Sequence, residues 1–156
     1  MSKSLKRVRN ALLAHGLSDT ILEMDEETRT AQQAAQAAGC EIDQIAKSIL
    51  FWDTKNDAPV MFLTAGGNQV DAKKAAQIVG HALSRADAKR VRAVTGFAIG
   101  GVSPIGHLTP CPIYMDPRLL DFPSVWAAAG TPRHIFSVAP TVLHSMTQAT
   151  IAAFTA

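Results

Sequence analysis

The spacing of apolar side chains changes several times along this chain, and each change marks an element. Leu5, Val8, Leu12 and Leu13 recur at helical intervals with Lys6, Arg7, Arg9 and Asn10 facing away, and Gly16 ends the pattern. This predicts an amphipathic first helix whose basic face is either solvated or open to a polynucleotide. Ile21-Leu22-Glu23-Met24 reads as a short strand leading into the acidic turn Asp25-Glu26-Glu27. Thr30 followed by Gln33 has the spacing of a capping box, and Gly39 that of a stop. Between them an alanine-rich helix is predicted over 31–38, with a face small enough to lie close on a sheet. The period then drops to two. Over 44–52 it sets Ile45, Lys47, Ile49 and Phe51 on one face of a strand, and Gln44, Ala46, Ser48, Leu50 and Trp52 on the other.

A polar turn over 53–58 joins that strand to a hairpin partner over 59–64, which Gly66-Gly67-Asn68 breaks. Asp71 caps a helix over 72–79, with Val70 and Ala75 as a hydrophobic staple and Gly80 as the stop. Asp87 opens another short helix, rich in Lys89, Arg90 and Arg92, that ends at Thr95-Gly96. Short strands are predicted at Ile113-Tyr114-Met115, Val125-Trp126-Ala127-Ala128 and Ile135-Phe136-Ser137-Val138, with Asp116-Pro117 and Phe122-Pro123 as turns. Pro140 and Thr141 open a last helix to about Met146, and 151–154 reads as a closing strand. Helices and strands interleave while hairpins also occur, so the expected fold is α/β, one compact domain over 1–156 with a mixed sheet flanked by helices.

Composition narrows the possible partners. A chain of 156 residues with 47% hydrophobic and 18% charged side chains is long and apolar enough to bury a real core. Its net charge of +2 permits a local phosphate-binding patch but not a protein that coats DNA by charge alone. Cys40 and Cys111 form no C-x-x-C pair and read as free thiols of a reducing compartment. With no apolar run of signal-peptide or membrane-helix length, the expectation is a cytoplasmic protein without a membrane partner.

Two stretches carry candidate chemistry. Residues 96–107 place Gly100-Gly101 and Ser103-Pro104 behind a short apolar entry. Glycine lets another molecule approach the main chain, and proline stiffens the exit, so a tight loop with bare N–H groups is expected; a plain connection between strands is the alternative. Lys47 shares a strand face with three large apolar side chains, where an ammonium either finds a partner or snorkels to water. His15 and His81 adjoin helix-ending glycines and read as caps. His107 and Cys111 make half a zinc site at most, so no metal is expected. The carboxylate pairs Asp25/Glu27 and Asp116/Asp121 read as turn residues. Without a G-x-S-x-G elbow the signal for a Ser-His-Asp triad is weak, so a serine hydrolase stays a third possibility, and the missing G-x-x-x-x-G-K-[ST] loop argues against a nucleotide triphosphatase.

Taken together, residues 44–51 (QIAKSILF) and 100–106 (GGVSPIG) resemble the YbaK / prolyl-tRNA-synthetase-associated (ProX-like) editing-domain family. A helix ending in Gly-Cys before the lysine strand, and Val70-Asp71-Ala72-Lys73-Lys74 opening a helix after the hairpin, fit the same frame from about Thr28 to Phe154. The resemblance implies a partly barrel-like mixed sheet and a stand-alone trans-editing deacylase without cofactor. Such an enzyme hydrolyses the ester joining a wrong amino acid (alanine, cysteine, serine or threonine) to a tRNA, typically tRNA(Pro). Prolyl-tRNA synthetase would be a further partner. Lys47 matches the family's lysine, and Gly100 to Pro104 match its G-x-x-x-P loop, whose backbone holds the aminoacyl-adenosine end. Lys47, Gly100 and Gly101 are thereby implied in catalysis, and Ser48, Val102, Ser103, Pro104, Gly130 and His134 in substrate binding. Ser48 begins on the strand face opposite Lys47, so only a twist would bring it to the substrate. His134 stands where family members often carry an acidic residue, which implies an altered pocket wall and amino-acid preference. An aminoacyl ester is already activated, so positioned water or ribose hydroxyl plus preformed N–H donors suffice chemically. The rival reading is a module that binds the same aminoacyl or nucleotide end without turnover.

Overall fold

The lysine strand lies inside the molecule's largest sheet, and its two faces feed two separate cores. The computed structural model describes residues 2–156. Its order is α1 (Lys3–Ala14), β1 (Leu22–Glu23), α2 (Ala31–Ala38), β2 (Ala46–Asp53), β3 (Ala58–Ala65), α3 (Ala72–Val79), β4 (Leu83–Arg85), α4 (Ala88–Thr95), β5 (Ile113–Met115), β6 (Val125–Ala128), β7 (His134–Val138), α5 (Pro140–Thr147) and β8 (Thr150–Ile151). One sheet runs β4-β2-β3-β5-β8 and the other β1-β7-β6. β2 and β3 are an antiparallel hairpin with Lys47 opposite Thr64, whereas β5 joins β3 in parallel and β8 joins β5 in parallel. A parallel bridge between Ile45 and Trp126 links the two sheets at one corner. The larger sheet is therefore mixed, as expected from the interleaved pattern.

Alternation along β2 and its partner decides what each core contains. Ala46, Leu50, Met61 and Leu63 pack with Leu5, Val8 and Leu12 of α1 and with Val125 and Phe136 of the smaller sheet. Phe51, Val60 and Phe62 turn to the other side, against Ala75 of α3 and Phe154. Phe62 is the hub of that second core, with ring centroids of Phe51, Tyr114 and Phe154 at 5.5, 5.5 and 4.9 Å. Such edge and offset contacts add to the area that these rings bury.

Caps fix the helices next to the sheet. Thr30 accepts from the Gln33 N–H at 3.1 Å, and the Gln33 side chain accepts from the Thr30 N–H at 3.3 Å, completing the expected box. Asp71 caps α3 through the Lys73 and Lys74 N–H groups, and Asp87 caps α4 through that of Arg90. Thr30→Ala is expected to lower the urea midpoint by the equivalent of about 1 kcal/mol without changing the slope, because one donor of the first turn of α2 loses its partner.

Several elements differ from the expectation. Leu13 is exposed, since the buried stripe of α1 follows Leu5, Val8 and Leu12 and Leu13 lies a full helical step beyond it. The lysine strand starts at Ala46, after a 3-10 turn over Ile42–Gln44. Another 3-10 helix, Pro117–Asp121, replaces the expected simple turn. The closing strand is only Thr150–Ile151, because Phe154 instead plugs the second core and Thr155 bridges to Val70.

Candidate functional site

β4 pairs with β2 only from Phe51 to Asp53, so the preceding stretch of β2 keeps an open edge. Along that edge, between α2, β4, the glycine loop and the smaller sheet, runs a cleft of about 480 Å³. Lys47, Ser48, Gly100 and Val102 all line it, with Ala31, Ala46, Ala86 and Ala127 keeping its walls small and Ile45, Trp126 and Ile135 making them apolar. The structure thus gathers four of the residues singled out in the sequence. Among the described residues, no Asp, Glu, His or Cys lines the cleft; its charged side chains are Lys47, Arg29 and Arg85.

Lys47 is half-buried and has found a partner: its ammonium donates to the Asn68 carbonyl at 2.6 Å. Asn68 is held in turn by its side-chain amide, which donates to Asp116 at 2.9 Å. Asp116 is itself buried and also accepts from the Ala65 N–H at 3.1 Å and the Arg118 N–H at 2.9 Å. Desolvation lowers the Lys47 pKa from the ordinary lysine value, against the opposing pull of the Asp116 and Asp43 carboxylates. An ammonium carries three donors. One is spent on Asn68, and the head stands at a cleft with no carboxylate in its lining.

Ser48 reaches the same cleft although it starts on the opposite face, because the cleft wraps round the open edge of β2 and takes in residues from both faces. Its hydroxyl is buried without a hydrogen-bond partner among the described residues. The Ala86 N–H donates to the Leu50 carbonyl, so the backbone polar groups of Leu50 face the β4 side. Strand alternation sets the N–H and C=O of Ser48 on that same side, beyond the end of β4.

The glycine loop is tight, as its residues require. Gly100 has φ +96°, and Gly101 lies so close to Thr131 that a Cβ on it would sit 2.8 Å from that residue's backbone. The Gly101 N–H, expected to be bare, donates to the Ala98 carbonyl at 3.0 Å. That leaves Ile99, Gly100 and Val102 as the loop residues at the cleft whose N–H groups have no protein acceptor among the described residues. Ser103 and Pro104 are buried behind the loop, where the Ser103 carbonyl accepts from His107 Nε2 at 2.6 Å and its hydroxyl accepts from the Ile105 N–H at 3.3 Å. Burial lowers the His107 pKa, against the opposing pull of its hydrogen bond to the Ser103 backbone. Cys111 is likewise inert, its thiol pushed up to about 11 by burial.

Gly130 and His134 do not line the cleft. Gly130 is packed against the Ser4 carbonyl of α1 and the Phe97 ring. His134 lines a separate surface hollow, and its Nδ1 lies 2.6 Å from the Thr131 hydroxyl. Their segment meets the glycine loop at Phe97, beside Gly130, and at Thr131, which buttresses Gly101. His15 caps α1 as expected, with Nδ1 2.9 Å from the Ala11 carbonyl. Sequence reasoning passes over Asn68 and Arg85, and reads Asp116 only as a turn residue. The Gly66-Gly67-Asn68 break and the Asp-Pro start of a 3-10 helix are the available signals for two of them.

The chain matches the aminoacyl-tRNA editing domain family over residues 25–145. It is 30% identical to the uncharacterised protein YwhH of Bacillus subtilis (strain 168), covering 88% of this chain and 87% of that one. It is 28% identical to EbsC of Enterococcus faecalis (strain ATCC 700802 / V583), to which a Cys-tRNA(Pro)/Cys-tRNA(Cys) deacylase activity is ascribed, over 83% of this chain and 79% of EbsC. A crystal structure ascribed to a trans-editing enzyme for prolyl-tRNA synthetase superposes with TM-score 0.93 at 44% identity, covering 100% of this chain and 99% of the other. With the cleft, its lysine strand and its glycine loop inside the matched region, the chain belongs to the aminoacyl-tRNA editing domain family.

Proposed function

We propose that this protein is an aminoacyl-tRNA deacylase that acts in trans on mischarged tRNA, tRNA(Pro) carrying alanine, cysteine, serine or threonine foremost. The observation that carries this reading is the make-up of the cleft: apolar walls, the cations Lys47, Arg29 and Arg85 and unfilled backbone donors, with no carboxylate, thiol or imidazole among the described residues. Among the described residues the lining offers none of the carboxylates, imidazoles or thiols that most often activate a nucleophile on an unactivated bond. It suits an ester that is already reactive and attached to a polyanion.

In this mechanism the Lys47 ammonium holds the terminal phosphate or the ester carbonyl, and the Gly100 and Val102 N–H groups take the charge that develops on the carbonyl oxygen. The Ser48 hydroxyl, with the backbone edge beside it, orients the terminal ribose or the attacking water. Water adds to the carbonyl carbon and the bond to the ribose oxygen breaks. The amino acid leaves, the ribose hydroxyl regains its proton, and no cofactor takes part. A single methylene discriminates by only about 1–3 kcal/mol, so the amino-acid preference rests on how closely each side chain fills the apolar part of the cleft.

The test is deacylation of tRNA(Pro) charged separately with alanine, cysteine, serine, threonine and proline. Fast loss of at least one small noncognate ester, with the prolyl ester spared, is the expected result. No turnover of any ester would overturn the deacylase reading and leave a module that binds the aminoacyl end. Prolyl-tRNA synthetase added to the assay reads out whether it is a partner.

A further inference from the structure

Positive charge is unevenly distributed on this nearly neutral chain, and one concentration of it borders the cleft. Residues 85–92 hold four cations, Arg85, Lys89, Arg90 and Arg92, against the single acid Asp87. The Asp87 carboxylate is occupied in capping α4 through the Arg90 N–H at 2.8 Å. Among the described residues, none of the four cations is in an ion pair. Arg85 lines the cleft itself, with its guanidinium 5.5 Å from the Phe51 ring centroid. Arg90 lies over Trp52 at 4.6 Å and helps fasten α4 to β2. Val91, Val94 and Thr95 form the buried side of α4, leaving Lys89 and Arg92 exposed and three residues apart, hence neighbours on one helical face.

The other basic helices are differently committed. In α1, Arg7 turns inward to the Gly96 carbonyl at 2.7 Å and the Gly106 carbonyl at 3.3 Å, and Arg9 pairs with Asp19. Lys74 of α3 donates to the Thr155 carbonyl. At the far wall of the cleft, Arg29 is paired with Glu27. Lys89 and Arg92 of α4, outside any ion pair among the described residues, follow cleft-lining Arg85 within seven positions of the chain. A substrate whose reacting end sits in the cleft and whose phosphates continue outward meets favourable charge along this side.

We infer that Arg85, Lys89 and Arg92 form the docking track for the phosphate backbone of the acceptor stem, leading the duplex away from the cleft. The inference rests on the deacylase reading for the identity of the RNA. Phosphate contacts of this kind fix register and orientation without reading sequence, and they make affinity fall with salt in proportion to their number.

The probe is an uncharged acceptor-stem RNA hairpin ending in CCA, titrated by fluorescence anisotropy across a range of KCl concentrations. Lys89→Ala/Arg92→Ala is compared with Lys3→Ala/Lys6→Ala, which removes the same charge from exposed positions on α1. The α4 pair is expected to weaken binding and to reduce the slope of log K against log salt by about 2, one for each phosphate that the two side chains neutralise. The α1 pair is expected to leave the slope unchanged, and hydrolysis of an aminoacyl-adenosine, which lacks a stem, to proceed at the wild-type rate in both variants. Wild-type binding by the α4 pair, equal weakening by both pairs, or no binding of the hairpin by the unmodified protein would each overturn the assignment. Hairpin binding through α4 without turnover of any charged tRNA would support the track while removing the deacylase reading, so the two fail separately.

Discussion

Replacing Lys47 with alanine is expected to slow deacylation of a charged tRNA on the order of 10²–10³-fold, the loss seen when one donor aimed at a developing oxyanion is removed. The ammonium is the charged donor placed between β2 and the open cleft, and its position is determined from behind by the Asn68 carbonyl, which Asp116 holds through the Asn68 amide. Folding should survive, because the substitution leaves a carbonyl near the surface rather than an orphaned buried charge. Lys47→Arg is expected to restore charge without restoring rate, since a planar guanidinium on a longer stem does not place its donors where an ammonium does. Single-turnover rates on charged tRNA, with circular dichroism as the folding control, check both variants. An unchanged rate for Lys47→Ala would remove this lysine from the chemistry.

The same lysine sets a pH dependence. Burial lowers its pKa, with Asp116 and Asp43 pulling in the opposite direction. Activity that needs the ammonium is therefore expected to fall as pH rises through a value below that of an ordinary lysine, once spontaneous ester hydrolysis is subtracted. Stability moves the other way. The unfolded chain holds this proton more tightly, so burial of the ammonium opposes folding below the folded-state pKa, and the opposition fades as pH rises toward the unfolded value.

Elements written in local chemistry were legible from the sequence. The Thr30–Gln33 box, the Asp71 and Asp87 caps and the two-residue period of β2 depend on neighbours a few positions away, and all are found in the fold. β4 was not legible, because Leu83-Ser84-Arg85 is three mostly exposed residues at a sheet edge and has neither length nor alternation. Its shortness matters for the site, since a longer β4 would pair with Ser48 and cover the edge that the cleft uses. Period alone also separated Ser48 from Lys47, whereas the cleft collects residues from both faces by running along the edge. Asn68 and Asp116 position Lys47 from 21 and 69 residues away in sequence, and only the hairpin register and the parallel β5 pairing bring them together. The bare loop donors were half legible. Glycines announced the close approach, but which N–H the Ala98 turn would consume is decided by the fold.

Gly101→Ala should disable the site by a different route from Lys47→Ala, with the chemistry intact and the geometry lost. The new Cβ would lie 2.8 Å from the N, Cα and C atoms of Thr131, and backbone cannot swing aside as a side-chain tip can. The loop must instead move away, carrying Gly100 and Val102 with it and straining the Gly101 N–H bond to the Ala98 carbonyl. Overpacking of this kind costs about 1–3 kcal/mol of stability. A misplacement near 1 Å at reacting groups costs about 100-fold in rate. Gly100→Ala provides the contrast, because its Cβ meets only the Arg29 side chain, at 3.1 Å, while its φ of +96° is itself unfavourable for alanine. Arg29→Ala should therefore relieve none of the Gly101→Ala defect and only the steric part of the Gly100→Ala defect, leaving the backbone strain of about 1–3 kcal/mol. Urea unfolding and single-turnover deacylation of the two glycine variants, each with and without Arg29→Ala, separate steric displacement from conformational strain. If Gly101→Ala keeps both its urea midpoint and its rate, the loop is not pinned by Thr131, and preorganised backbone donors no longer account for the proposed ester hydrolysis.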